Sequence, residues 1–138
     1  GLCAPYCNVN ARGILTGLTR DTGPKEITRA TVESVAYQTY DLFEAMKNDG
    51  LKPKLIKVDG GMVLNNWFSQ FLSDTINTKV LRPKVNETTA LGAAFMAGLQ
   101  IGVYKSLKDI AKNWQADKSF KPKIKNSDRK ILFSTISY

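Results

Sequence analysis

The strongest restriction on the fold is a change of hydrophobic period on either side of Asp59-Gly60-Gly61. Leu55-Ile56-Lys57-Val58 reads as a short strand, rich in β-branched and aliphatic side chains. Beyond the two glycines, Phe68, Phe71, Leu72 and Ile76 recur at helical spacing and predict a helix from about Asn65 to Ile76. Lys79 to Arg82 returns to a strand pattern and Pro83 closes it. Two strands joined by a helix predict parallel pairing through a crossover. The flanks extend the alternation. Gly13 to Thr19 reads as a strand and Pro24 to Asn48 as a long helix with Pro24 at its first position, Glu26 in its first turn and Gly50 past its end. In that helix Ile27, Thr31, Val35, Leu42 and Met46 form the expected inner stripe, flanked by Val32, Ala36 and Phe43. Thr88 to Gln100 and Ser106 to Trp114 read as further helices, residues 1–10 as a loop with turn-forming Asn8 and Asn10, and the rest as an irregular basic tail. The class is α/β.

Composition removes several chemistries. The chain has no histidine, which excludes a Ser/His/Asp triad, a histidine base and any histidine-ligated metal. Cys3 and Cys7 cannot complete a four-ligand zinc site and read as reduced thiols. No apolar run approaches the ~20 residues of a membrane span, and no secretory leader pattern opens the chain, so a cytoplasmic setting is expected. The net charge of +8 is unevenly placed: residues 1–104 carry +2 and residues 105–138 carry +6. These lysines are spread along a helix-like segment and a loop without a nucleic-acid motif, so they read as solvated surface and no nucleic-acid partner is expected. Binding there would show as steeply salt-dependent retention. Ile131, Leu132, Phe133 and Ile136 make the last stretch before Tyr138 apolar, which is expected of a piece of a longer chain.

Ligands of parallel α/β sheets sit at the carboxyl ends of strands, which points to the turn after Val58. Gly60 and Gly61 allow torsions closed to other residues and leave no side chain between backbone and ligand. Amides at the following helix start suit a phosphate or nucleobase, and Asn65 offers both a donor and an acceptor to a purine edge. A tight turn with a capping asparagine would give the same pattern.

Val58-Asp59-Gly60-Gly61-Met62-Val63-Leu64-Asn65-Asn66 resembles the adenosine-binding segment of the FGGY carbohydrate kinase family, its glycerol-phosphorylating branch above all. Ala4-Pro5-Tyr6, Ala11-Arg12-Gly13, Gly17-Leu18, Glu26-Ile27, Ala30-Thr31-Val32-Glu33, Arg82-Pro83, Glu87-Thr88-Thr89-Ala90-Leu91-Gly92-Ala93-Ala94 and Phe120-Lys121-Pro122 are similar to that family in the same order. The resemblance implies transfer of the γ-phosphoryl of ATP, with Mg²⁺, to glycerol, giving sn-glycerol 3-phosphate. It also implies a ribonuclease-H-like (actin-like ATPase) lobe, here incomplete and lacking its first strands. Residues 1–104 would be the core of the C-terminal domain and 105–138 its last helix and basic tail. Gly61 would meet ATP or ADP through its backbone, Asn65 would face the adenine, and Gly60 and Met62 would shape the turn. The catalytic aspartate, the glycerol contacts and the metal-bound phosphates would depend largely on the other lobe and the lobe junction, and the protein would be a homo-oligomer.

Asp59 is then expected to cap turn or helix amides, not to move a proton. Cys7, Asn8 and Val9 stand where the family usually has tryptophan, aspartate and proline, which alters the packing of that loop. Another sugar or polyol kinase of the family, acting on xylulose or gluconate, would share the adenosine turn. A lobe kept only for binding a nucleotide or partner would share it too. Trp67, Phe68 and Phe71 read as core, Arg12 as a phosphate ligand or a structural pairing, and Arg82-Pro83-Lys84 as a strand end with solvated charge. The small residues from Ala90 to Gly98 predict a helix lying close to the sheet, where Gly92→Leu would cost about 1–3 kcal/mol by overpacking. Missing strands would leave apolar surface exposed, so self-association is expected.

Overall fold

The computed structural model describes residues 2–134, which leaves Ile136 and Tyr138 of the apolar terminal run outside the described residues. The chain divides into two compact units, Gly1–Pro53 and Lys54–Tyr138.

The first unit is a loop followed by one long helix, α1 (Pro24–Asn48). In the loop, Leu2 and Asn8 form an isolated antiparallel bridge and Asn10 N–H donates to Asn8 Oδ1 at 3.0 Å, so Asn8 builds the expected turn. Tyr6 Oη donates to Asp41 on α1 at 3.1 Å. The Arg12 guanidinium donates to the carbonyls of Val9 and Ala11, a local brace. Cys3 and Cys7 are exposed, unbridged thiols. Pro24 stands at the start of α1, and Glu26 returns its carboxylate to the Gly23 N–H at 2.9 Å. Hydrogen bonds from the backbone N–H groups of Glu26 itself and of Gly23 hold the Glu26 carboxyl below its ordinary pKa. At the other end Gly50, at φ +85°, allows two closing bonds, Leu51 N–H to Met46 O and Gly50 N–H to Lys47 O. The buried stripe of α1 is Ala36 and Phe43, whereas Ile27 and Leu42 are exposed. The expected stripe is therefore rotated about the helix axis.

Gly13–Thr19 is not a strand. Gly17 sits at φ +72°, outside the β region, and Ile14, Leu15 and Leu18 are all exposed. Strand-favouring residues alone cannot make a strand where no neighbouring backbone supplies a ladder.

The second unit holds a three-stranded sheet in the order β1 (Leu55–Lys57), β2 (Lys79–Pro83), β3 (Ala116–Phe120). As expected, β1 and β2 are parallel, with Ile56 opposite Val80, and α2 (Asn66–Ile76) connects them. Phe68, Leu72, Ile76, Val80 and Phe120 form the core between α2 and the sheet. Asn77 takes the left-handed conformation that ends α2. The expectation of parallel strands throughout is corrected by β3, which pairs antiparallel to β2 from within the supposed irregular tail. Ala-Asp-Lys-Ser-Phe has only one large apolar side chain, so β3 is specified by its ladder and not by its own pattern. The register slips between Arg82 and Pro83, where proline has no N–H to give. The tail also contains α5 (Asn126–Ser134), while α4 (Leu107–Ala111) is shorter than expected and capped by Ser106.

A second correction concerns α3 (Thr88–Gln100). Ala90, Ala93, Ala94 and Ala97 are exposed, and a side chain added at Gly92 would meet nothing within 4 Å. Close approach occurs only at Gly98, where an added Cβ would stand 2.9 Å from the Tyr104 ring. That ring also packs edge-on against Phe95.

Candidate functional site: the turn after the first strand

The chain leaves β1 at Val58, whose N–H still donates to Leu81 O at 3.0 Å. Gly60 then adopts φ +89° and ψ 172°, a conformation available essentially to glycine alone. It opens a single 3-10 turn, Gly61–Leu64, followed directly by α2. The first N–H groups of such a turn have no partner within it, so Gly61 and Met62 present backbone donors. An added Cβ at Gly60 or Gly61 would meet no atom within 4 Å, so the space above the turn is open. Met62 and Leu64 are exposed, and Val63 is the buried anchor.

Asn65 is the N-cap of α2. Its Oδ1 accepts from Trp67 N–H at 2.9 Å and Phe68 N–H at 3.3 Å. This corrects the expectation of open amides at the helix start, because the side chain of Asn65 already occupies them. The same bonds fix the Asn65 amide plane and leave Nδ2 as the group it can offer a ligand. Capping and ligand recognition are therefore compatible in one side chain.

Asp59 does not cap the helix amides. Its carboxylate accepts from Thr88 Oγ1 at the first position of α3, joining the turn to the Glu87-Thr88-Thr89 segment. The N-cap position it could have served belongs to Asn65. No group of three or more His, Cys, Asp or Glu side chains comes together among the described residues.

Arg82, expected to be solvated, is only 8% exposed. Its Nη1 donates to Val63 O at 3.0 Å, Leu64 O at 3.1 Å and Asn66 Oδ1 at 3.2 Å. Its Nε donates to Asp117 Oδ2 on β3 at 2.8 Å, and Nη2 lies 2.6 Å from the same oxygen. One guanidinium thus holds the carbonyl ends of the 3-10 turn and ties them to the sheet. Ser69 Oγ adds a second donor to Val63 O at 2.9 Å. The missed signal was strand parity: Arg82 is two residues from Val80, so it shares the inward face of β2 with that buried valine. Of the three aromatics expected in the core, Phe68 is buried, while Trp67 is 44% exposed and stacks on Phe71 with centroids 5.1 Å apart.

A strand, a double-glycine turn, a capping asparagine and a helix, on a mixed sheet, match the C-terminal lobe of the actin-like ATPase fold found in carbohydrate kinases. Residues 1–101 match the C-terminal domain of the FGGY family of carbohydrate kinases, and the chain belongs to that family. It is 52% identical to glycerol kinase 1 of Pseudomonas aeruginosa over 134 residues, which is 97% of this chain and 27% of that protein. Glycerol kinase of Ectopseudomonas mendocina is also 52% identical, over 135 residues, again 97% of this chain and 27% of the relative. Among solved structures, Plasmodium falciparum glycerol kinase with ADP superposes with a TM-score of 0.78 at 35% identity, covering 97% of this chain and 27% of that one. A ligand-bound xylulose kinase from Lactobacillus acidophilus gives 0.73 at 28% identity, covering 96% and 26%. The chain thus spans about a quarter of the length of the relatives it matches.

Proposed function

We propose that this chain supplies the adenine-nucleotide-binding lobe of a kinase that phosphorylates glycerol with ATP. The observation that carries the reading is the Gly60–Asn65 turn, open above its glycines and braced from below by Arg82. Gly61 binds the nucleotide through its backbone N–H, where any side chain would intervene. Asn65 offers Nδ2 to the adenine edge while its Oδ1 stays on the helix amides. Gly60 and Met62 set the shape of the turn. The chemistry is phosphoryl transfer by positioning and charge neutralisation. This chain's part is to fix the base end of ATP, so that the γ-phosphoryl is presented to the acceptor elsewhere. Mg²⁺ would supply charge neutralisation when bound, held mainly by groups outside this chain. Glycerol as the acceptor rests on the likeness to bacterial glycerol kinases at 52% identity. The likeness to xylulose and gluconate kinases of Lactobacillus acidophilus, at 28%, favours a second reading in which the acceptor is another sugar or sugar acid. A cytoplasmic homo-oligomer belongs to the same proposal.

The test is calorimetric titration of ADP into this chain and its Asn65→Ala variant, with glycerol turnover measured on the full-length enzyme, because this chain alone is expected to be inactive. ADP affinity is expected to fall severalfold in the variant, because one adenine contact and the helix cap are lost together. Undiminished affinity would remove Asn65 from the site. Turnover of xylulose or gluconate in preference to glycerol would select the second reading.

A further inference from the structure

Beside the α2 face that carries Asn66 and Gln70 lies an open cleft of about 540 Å³, walled on its other side by Lys118, Phe120, Lys121 and Lys123. It is separate from the Gly60–Gly61 turn, neither of whose glycines lines it. No carboxylate lines it. The acids nearby are engaged: Asp117 holds Arg82, and the buried carboxylate of Asp74 accepts from Lys123 N–H at 2.5 Å, Ile124 N–H at 3.3 Å and Gln70 Nε2 at 3.2 Å. Among the described residues, the ion pairs are made by other lysines and arginines, and none uses the ammonium groups of Lys118, Lys121 or Lys123.

The wall carrying these lysines is built, not loose. Ser73 Oγ donates to Phe120 O at 3.2 Å, Gln70 Nε2 to Lys121 O at 2.8 Å, and Asp74 takes the next two amides after Pro122. Three α2 side chains, two of them buried, therefore pin the backbone of four of the five residues from Phe120 to Ile124. Ordinary solvated lysines need no such frame. Asn66 Oδ1 accepts from Arg82 Nη1, which orients the Asn66 amide and leaves Nδ2 as a neutral donor at the cleft.

We propose that this cleft binds a small inorganic-type polyanion with at least two linked phosphoryl groups, held by the ammonium groups of Lys118, Lys121 and Lys123 and the amide of Asn66. Three like charges on one rigid wall repel one another and are relieved by a multivalent anion more than by a single charge. A nucleic acid is disfavoured because the only aromatic ring in the cleft, Phe120, is buried and offers no face for base stacking. The inference is independent of the nucleotide reading.

The probe is tripolyphosphate, titrated calorimetrically into the full chain with and without saturating ADP. The variants are a Lys118→Gln, Lys121→Gln, Lys123→Gln triple and a charge-matched control, Lys105→Gln, Lys108→Gln, Lys130→Gln. All six lysines are exposed, so both proteins should fold, which circular dichroism checks. The expected result is one saturable site, unaffected by ADP or by Asn65→Ala, weakened about tenfold in the cleft triple and unchanged in the control. Absence of saturable binding, equal weakening in both triples, or displacement by ADP would each overturn the proposal.

Discussion

Arg82→Met isolates the brace beneath the Gly61–Leu64 turn, because methionine keeps most of the aliphatic stem and deletes every donor. Three acceptors lose their cation: Val63 O, Leu64 O and Asn66 Oδ1. Val63 O keeps its bond from Ser69, so two acceptors lose a donor outright. An acceptor left without its charged partner costs about 1–3 kcal/mol when water cannot replace it. Leu64 and Asn66 are exposed residues, which admits water and places the total at about 2–4 kcal/mol. The Asp117 side chain is 46% exposed, so its freed carboxylate adds little, and Asp117→Asn should cost under about 1 kcal/mol. Urea unfolding followed by tryptophan fluorescence reads both, since Trp67 sits one residue into α2 beyond the braced turn. Arg82→Lys should recover less than half of the loss, because a single ammonium cannot reproduce the fork. An Arg82→Met loss below about 0.5 kcal/mol would refute the brace. An equal loss in Asp117→Asn would shift the stabilisation from the turn carbonyls to the ion pair.

The two glycines of the turn should separate stability from binding. Gly60→Ala forces a non-glycine residue to φ +89° and should cost about 1–3 kcal/mol in thermal unfolding. Gly61→Ala should leave unfolding within about 0.5 kcal/mol yet weaken ADP binding, since its Cβ meets open space in the protein and would stand in the ligand's path. On α3, Gly92→Leu should be neutral or stabilise by up to about 1 kcal/mol through helix propensity, whereas Gly98→Leu should destabilise by about 1–3 kcal/mol against Tyr104. Glu26 has a folded pKa below its unfolded value of about 4.3, so it contributes stability above that pH and loses it as pH falls through the lowered value. Glu26→Gln should flatten that part of the acid-unfolding curve, and an unchanged curve would exclude the contribution.

What could be read from the residues was whatever a local pattern specifies. The Leu55–Val58 strand, the α2 periodicity and the Pro24–Gly50 bounds of α1 each carry their own signal, and they stand where expected. Elements specified by a neighbour were misread in both directions. Gly13–Thr19 has strand-like residues and no ladder, while Ala116–Phe120 has an unpromising composition and pairs with β2 at four positions. The small residues of α3 imply close packing by composition, yet only Gly98 has a neighbour that needs its size.

The site shows the same division within a single turn. Gly60 is recognisable because its conformation excludes every other residue, and Asn65 because capping selects its chemistry. Arg82 and Thr88 are 17 and 23 residues beyond Asn65 in a chain whose sequence carries no direct mark of which cation or hydroxyl reaches back. Strand parity gives the only advance warning, since a buried Val80 obliges the residue two positions on to point inward as well. An inward arginine must then find acceptors, and helix starts rarely leave carbonyls unpaired, so the search narrows to the irregular backbone ahead of α2. There the 3-10 turn supplies Val63 O and Leu64 O at 3.0 and 3.1 Å. A buried cation at the carboxyl end of a strand is thus better explained as the support of the irregular turn it faces than as surface charge.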